Sequence, residues 1–333
     1  MGKSWCSTDR ICRVVHSAGV ILALAAMVSP ASGENWRAWP GEFLRMGTGA
    51  RAMAMGNAYN AVDGDVFSSS YNPAGLASLE GRQFALSYRY MSMDRYFTHA
   101  VFGSRIGPDA GFAFSWLGAG TEGIQGRDLN GNRTGNLKDC RNSFGVTFAK
   151  SVGSRVSLGV TPKLSLWNLA DDDAKAFGFD IGVLVHPVES LGAAFVVHDV
   201  NSRFTWESKR WGNTISGADG QPMEKEDKFP VYFTTGVAWK PPGNRLLLSA
   251  MVESVEDCPL GYDFGASYAH SRIFTLRAGV YNYTTTDGLD YGSFTAGFGL
   301  RVTGTIEFEY AFASDAVEND RLHVLSLVFT YRE

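Results

Sequence analysis

The segment Asp128 to Asp139, "DLNGNRTGNLKD", sets oxygen-bearing side chains at positions 1, 3, 5, 9 and 12 of a twelve-residue run. That spacing can wrap a calcium ion. Arg133 stands sixth, where the sharp turn needs glycine, and an aspartate instead of a glutamate closes the run. Asp128, Asn130, Asn132 and Asp139 therefore read better as a solvated surface loop than as a metal site. "GTGARA" at 47–52 has the outline of a dinucleotide-binding turn, but that turn must follow a buried strand. The preceding "WPGEFLRM" carries Pro40 and Gly41 and is no such strand. The six histidines lie singly, and only "HDVNS" at 198–202 sets one beside an acid. No nucleophile constellation emerges, so neither an enzyme nor a cofactor is expected.

A second set of chemically capable residues is scattered more regularly. Arg89, Lys163, Asp180, Glu253, Asp263, Arg277, Arg301, Glu307 and Glu309 are single charges on faces otherwise made of Gly, Ala, Ser and Thr. Both signs are present, and charges removed from bulk water are expected to pair. The elements that carry them alternate. Phe84, Leu86, Tyr88 and Tyr90 fall on one side of a run, and Ala85, Ser87, Arg89 and Met91 on the other, the period of a β-strand. The same holds for Ile306, Phe308, Tyr310 and Phe312, for Leu325, Leu327, Phe329 and Tyr331, and for Phe294, Ala296, Phe298 and Leu300.

Fourteen such runs, among them 82–91, 110–118, 141–150 and 229–240, fill the chain from residue 82 to 331. Most are about ten residues long, enough to cross a bilayer as a tilted strand. Their connections alternate in length. "GPD", "SVGS", "PVES", "PPG" and "TG" are tight. Gly120–Cys140, "NLADDDA", Asp199–Lys228 and "SDAVEND" are long, and only "SMD" near Ser92 breaks the rule. Outer-membrane barrels have this asymmetry, with short periplasmic turns and longer external loops. The apolar faces are thus expected to meet lipid and the charges to line a lumen. The ring must close, because an open sheet edge cannot be satisfied in hydrocarbon.

The N-terminus fits export. Lys3, Arg10 and Arg13 precede the apolar run "VILALAAMV" and the small residues that follow it, so residues 1–33 read as a signal peptide cleaved after Ala31 or Gly33. Cys140 and Cys258 remain in the mature chain, both placed by the strand order at the external end. The formal charge of −4 argues against a nucleic-acid partner. Residues 34–81 do not alternate and are rich in Gly, Ala and Met, with a short helical stretch in "ARAMAMGNAYNAV". Fourteen strands enclose more than their side chains fill, so this segment is expected to plug the barrel formed by 82–333.

The stretch "FLRMGTGARAMAMGNAYNAVDGDVFSSSYNPAGLA" resembles the N-terminus of the PorV/PorQ family, within the wider FadL-like (OmpP1/FadL/TodX) outer-membrane superfamily. The resemblance implies an all-β, fourteen-stranded transmembrane barrel in the outer membrane of a Gram-negative-type bacterium, with an N-terminal hatch in its lumen. It implies a hatch motif at Arg51, Gly56, Asn72, Pro73 and Ala74, the Asn-Pro-Ala turn packing inside. FadL-like members pass hydrophobic molecules; PorV-like members serve type IX secretion at the cell surface. The implied partners are the lipid bilayer and either a hydrophobic small molecule or a secreted protein; a structural barrel without transport is the third reading. Transport would call for an apolar pocket between hatch and wall and for a kinked strand facing lipid, which Gly111, Gly118 and Gly145 would permit.

Overall fold

A computed structural model describes residues 39–170, 172–208, 225–243, 245–256, 258–286, 289–314 and 321–332. The expected signal segment 1–33, residues 34–38 of the expected hatch and the middle of the 199–228 connection lie outside the described residues. No helix among those described is long and apolar enough to cross a membrane; strands do the crossing.

The wall runs β1 (Arg82–Tyr90), β2 (Arg95–Ile106), β3 (Ala110–Arg127), β4 (Arg133–Val152), β5 (Val156–Leu169), β6 (Asp172–Val188) and β7 (Leu191–Val200). A hairpin follows, β8 (Arg203–Ser208) and β9 (Lys225–Lys228). The wall resumes with β10 (Tyr232–Trp239), β11 (Leu246–Val255), β12 (Gly261–Ala269), β13 (Phe274–Thr286), β14 (Leu289–Arg301), β15 (Ile306–Ser314) and β16 (Arg321–Tyr331). Every pairing is antiparallel between neighbours, β7 pairs β10, and β1 pairs β16 from Arg82↔Tyr331 to Tyr90↔His323. Of the sixteen strands, β8 and β9 hang on the upper part of β6. The other fourteen close into a ring, so no edge is left in the membrane.

The pleat sorts the side chains. On β1 the four large residues Phe84, Leu86, Tyr88 and Tyr90 are 42–63% exposed, while Ala85, Ser87 and Arg89 are buried. Phe329, Leu327 and Leu325 of β16 continue the outward belt across the seam. Burial is therefore inverted relative to a soluble sheet: the apolar side faces hydrocarbon and the small and polar side faces the interior.

Two connections differ from the sequence reading. Gly120–Cys140 is not a long loop; β3 and β4 pair through Thr121↔Asp139 and, after a register shift, on to Arg127↔Arg133. Part of Asp199–Lys228 is the β8–β9 hairpin. Both extensions rise beyond the apolar belt, where the two faces of a strand meet water alike and no alternation marks them.

Residues 39–81 lie against the inner face of the ring. A 3₁₀ turn (Glu42–Arg45), α1 (Ala50–Ala54), α2 (Ser68–Tyr71) and a second 3₁₀ turn (Pro73–Ser78) are linked by turns. The segment starts at the external end, where Phe43 packs in one cluster with Phe97, Phe204 and Phe229. It descends past α1, reaches the periplasmic end at Asp63, beside His186 and Lys240, climbs back to Asn72 and returns to Gly81 at the foot of β1.

Candidate functional site

The described interior holds two anchoring clusters and, beside them, a cavity. The first cluster centres on Arg51 of α1. Its Nε stands 2.6 Å from Glu309 of β15, its Nη2 3.3 Å from Glu307, and its Nη1 3.2 Å from Asp65. Asp65 also accepts from the Tyr59 hydroxyl and from the backbone N–H groups of Phe67 and Ser68. Arg277 of β13 approaches the same wall carboxylates, 3.2 Å from Glu309 and 3.6 Å from Glu307. Arg301, 54% exposed at the lower mouth, reaches Glu307 at 3.6 Å. Glu309 is wholly buried, so two guanidinium groups offset its charge. Gly56, just below α1, has φ +61°, and a Cβ there would strike the Val280 carbonyl. Its N–H donates to Thr295 Oγ1 at 3.1 Å.

The second cluster is the Asn72-Pro73-Ala74 turn. Asn72 Nδ2 donates to Asn60 O (2.9 Å) and to Val183 O of β6 (3.3 Å), and Asn72 Oδ1 accepts from Ala74 N (2.9 Å). The fit requires two wall glycines: a Cβ on Gly182 would meet Asn72 Oδ1, and one on Gly159 would meet the Pro73 carbonyl carbon. Higher up, Arg89 donates from Nη2 to Met46 O and Gly47 O, both 2.7 Å, and lies over the Phe97 ring.

Between these clusters and the β5–β12 wall lies a cavity of about 50 Å³. Lys163 sits between Asp180 (2.8 Å) and Asp199 (2.5 Å). His198 approaches Asp180 at 3.8 Å through Nδ1, and its Nε2 lies 3.1 Å from Thr234 Oγ1. The Tyr232 hydroxyl donates to Glu253 (2.8 Å), and Asp263 accepts from Asn282 N. Arg45 lies over the Tyr232 ring at 5.1 Å with no hydrogen-bond partner for its three buried nitrogens. This space takes a water or two. The apolar pocket foreseen between hatch and wall is therefore replaced here by a small polar one. Arg45, Tyr59 and Asp65 were not among the residues the sequence singled out, and His198 and Asp199 stood out only as a histidine beside an acid. The first three lie in or face a segment without periodicity, and the last two sit where a strand breaks.

That break is the main irregularity of the wall. β7 ends at Val200, turns through Asn201 and Ser202, and continues as β8 along β6. Beside it β9 stops at Lys228, passes Phe229-Pro230-Val231, and resumes as β10. Two adjacent strands thus lose their ladder at the same height. Asp199 and Asn201 take left-handed φ values of +55° and +60°. Ser202 N donates to Asp199 O and Phe229 N to Ser202 O, which pins the two bends to one another. A pocket of about 300 Å³ opens there, lined by Val197–Arg203 and Lys228–Val231. His198 and Asp199 border both this pocket and the inner cavity. At the foreseen glycines, β3–β4 pairing runs unbroken from Ala110↔Lys150 to Thr121↔Asp139, while the β4–β5 ladder skips from Gly145↔Lys163 to Phe148↔Val160. Gly111 instead makes room for the Leu76 carbonyl.

The calcium-type run is not assembled. Asp128 Oδ1 accepts from the backbone of Asn130 and Asn132, and Oδ2 from Asn132 Nδ2, which holds that carboxyl below the usual carboxylate range. Asp139 lies apart on β4 and accepts from Trp167 Nε1 and Arg141. Among the described residues no three His, Cys, Asp or Glu side chains gather as a metal site. Cys140 and Cys258 are not bridged to one another.

A closed ring of fourteen tilted strands, apolar outside and filled inside, defines a transmembrane β-barrel of the outer membrane. Its fold is that of the FadL/TodX type of channel. Over 86% of this chain and 99% of theirs, it is similar to the Ralstonia pickettii toluene transporter TbuX (14% identity, TM-score 0.62) and the P. putida toluene transporter TodX (14%, 0.59). A Pseudomonas aeruginosa FadL homologue matches at 13% identity and TM-score 0.54, over 91% of this chain and 99% of that one. No family model matches the chain, and no curated protein matches it in sequence.

Proposed function

We propose that the barrel carries a hydrophobic solute across the outer membrane, with residues 39–81 as the hatch and the paired break in the wall as the exit toward lipid. The observation that supports this is the shared border: His198 and Asp199 line both the inner cavity and the pocket at the break. Solved structures of similar fold include proteins described as toluene transporters, which favours the same class of solute here. Arg277, Glu307 and Glu309 hold the hatch through Arg51 and are engaged with one another, so they are not offered to the solute. Uptake of a labelled monoaromatic hydrocarbon by cells carrying the barrel tests the reading. Val231→Trp, at the mouth of the break, abolishes uptake while the barrel stays folded. Unchanged uptake in that variant removes the exit.

The resemblance of the 43–77 stretch to PorV/PorQ proteins supports a second reading, a surface component that receives a secreted protein. The tall β3–β4 ribbon favours it, since a solute path needs no such crest. Removing residues 122–136 separates the two: solute uptake persists under the first reading, and surface display of cargo fails under the second.

A further inference from the structure

At the periplasmic foot of the seam, β1, β2 and the C-terminus converge on an open pocket of about 570 Å³, lined by Arg82, Arg105, Arg332, Glu80, Ser104 and two glycines. Three guanidinium groups face one carboxylate. Arg332 lies 3.7 Å from Glu80, both well exposed. Arg105 is held by its own turn, Nε donating to Gly107 O (2.8 Å) and Nη2 to Pro108 O (2.6 Å). Arg105 N donates to Gly81 O at 2.9 Å, which ties the two sides of the pocket together. The chain as a whole is acidic, at −4, so this concentration of positive charge is local.

The pocket borders the lipid-facing belt. Arg82 pairs with Tyr331 on one side and Ser104 on the other, and two residues along the same face Phe84 pairs with Phe329 and Phe102. Phe84, Phe102, Phe329, Tyr331 and Ile106 are all exposed. An acyl chain lying along these rings places its headgroup beside Arg82 on the same face, while Arg105, one residue off Ser104 on the opposite face of β2, lines the pocket from its far side. Guanidinium forks match phosphate oxygens in shape as well as charge. A protein partner would have to reach the same groups through the membrane surface, which a lipid already occupies.

We propose that this pocket binds the phosphate-bearing headgroup of an anionic phospholipid in the periplasmic leaflet, its chains resting on the Phe84–Phe102–Phe329 face.

The test is native mass spectrometry of the full barrel, exchanged from neutral phosphatidylcholine into mixtures with phosphatidylglycerol. Retained phosphatidylglycerol is expected, and Arg105→Gln with Arg332→Gln should weaken it about fivefold per arginine. The matched pair Arg245→Gln with Arg272→Gln, on turns across the ring, should leave it unchanged. A heat-modifiable band on gels reports folding; where the glutamine pair fails to fold, Arg105→Lys with Arg332→Lys replaces it and should still weaken retention by loss of the forks. Equal loss in both glutamine pairs, or retention untouched by either, overturns the proposal. So does displacement of the lipid by inorganic phosphate at equal concentration, which would mark a site for the free anion.

Discussion

Arg51 Nε and Glu309 Oε1 meet at 2.6 Å across 258 positions of sequence, one on the N-terminal segment and the other on the fifteenth strand. Glu309 serves two guanidinium groups, whereas Arg51 has two further carboxylates within reach. The two truncations should therefore differ. Glu309→Ala leaves Arg51 and Arg277 competing for Glu307 and lowers stability by about 3 kcal/mol. Arg51→Ala costs less, because Glu309 keeps Arg277. The temperature at which the folded gel band converts to the unfolded one ranks them, and the reverse order would count against this account.

Deleting residues 39–81 should leave a folded barrel that conducts ions freely in planar bilayers. The wall strands pair with one another and their outer faces are solvated by lipid, so the ring does not depend on the segment. Equal conductance of the intact and deleted proteins would place the segment outside the permeation path.

The Asn72 contact gives a finer test. Asn72→Ala loses two donated bonds and one accepted bond in a fully buried site, about 2 kcal/mol. That exceeds the single turn bond that Asn-Pro in sequence suggests. Gly182→Ala drives a methyl into the same side chain from the wall, and it should raise single-channel leak without lowering barrel stability. A silent Gly182→Ala would mean that the turn sits farther from β6.

The two thiols should behave differently toward a membrane-impermeant maleimide applied to intact cells. Cys140, half-buried near the top of β4, is expected to react; Cys258, buried with Tyr232 and Val255 above β11, is expected to react slowly. Labelling of Cys140 only after the periplasm is opened would invert the orientation.

Where a strand has lipid on one side and small polar residues on the other, its sequence alternates, and that is why β1, β14, β15 and β16 were legible almost to the residue. The upper parts of β3 and β4 were not, because "TEGIQGR" and "RTGNLKD" are polar on both faces. The break at Asp199–Ser202 was invisible for a related reason. "HDVNS" looks like an ordinary turn, and only the pairing of Arg203 with Lys228 and of His198 with Tyr232 shows two strands bending together. The charged wall residues could be named from their face. On the N-terminal segment Arg51 came only from the family resemblance, and its pairing with Glu309 could not be read, since it depends on where a non-periodic chain is laid.

The seam between β1 and β16 joins the first strand of the wall to the last one described. Without Arg321–Tyr331 in place the ring is open, and residues 39–81 have no completed chamber to occupy. Ser326, which accepts from Ala50 N at 2.8 Å, arrives on that final strand. Sealing the ring and seating the N-terminal segment thus fall to the same strand.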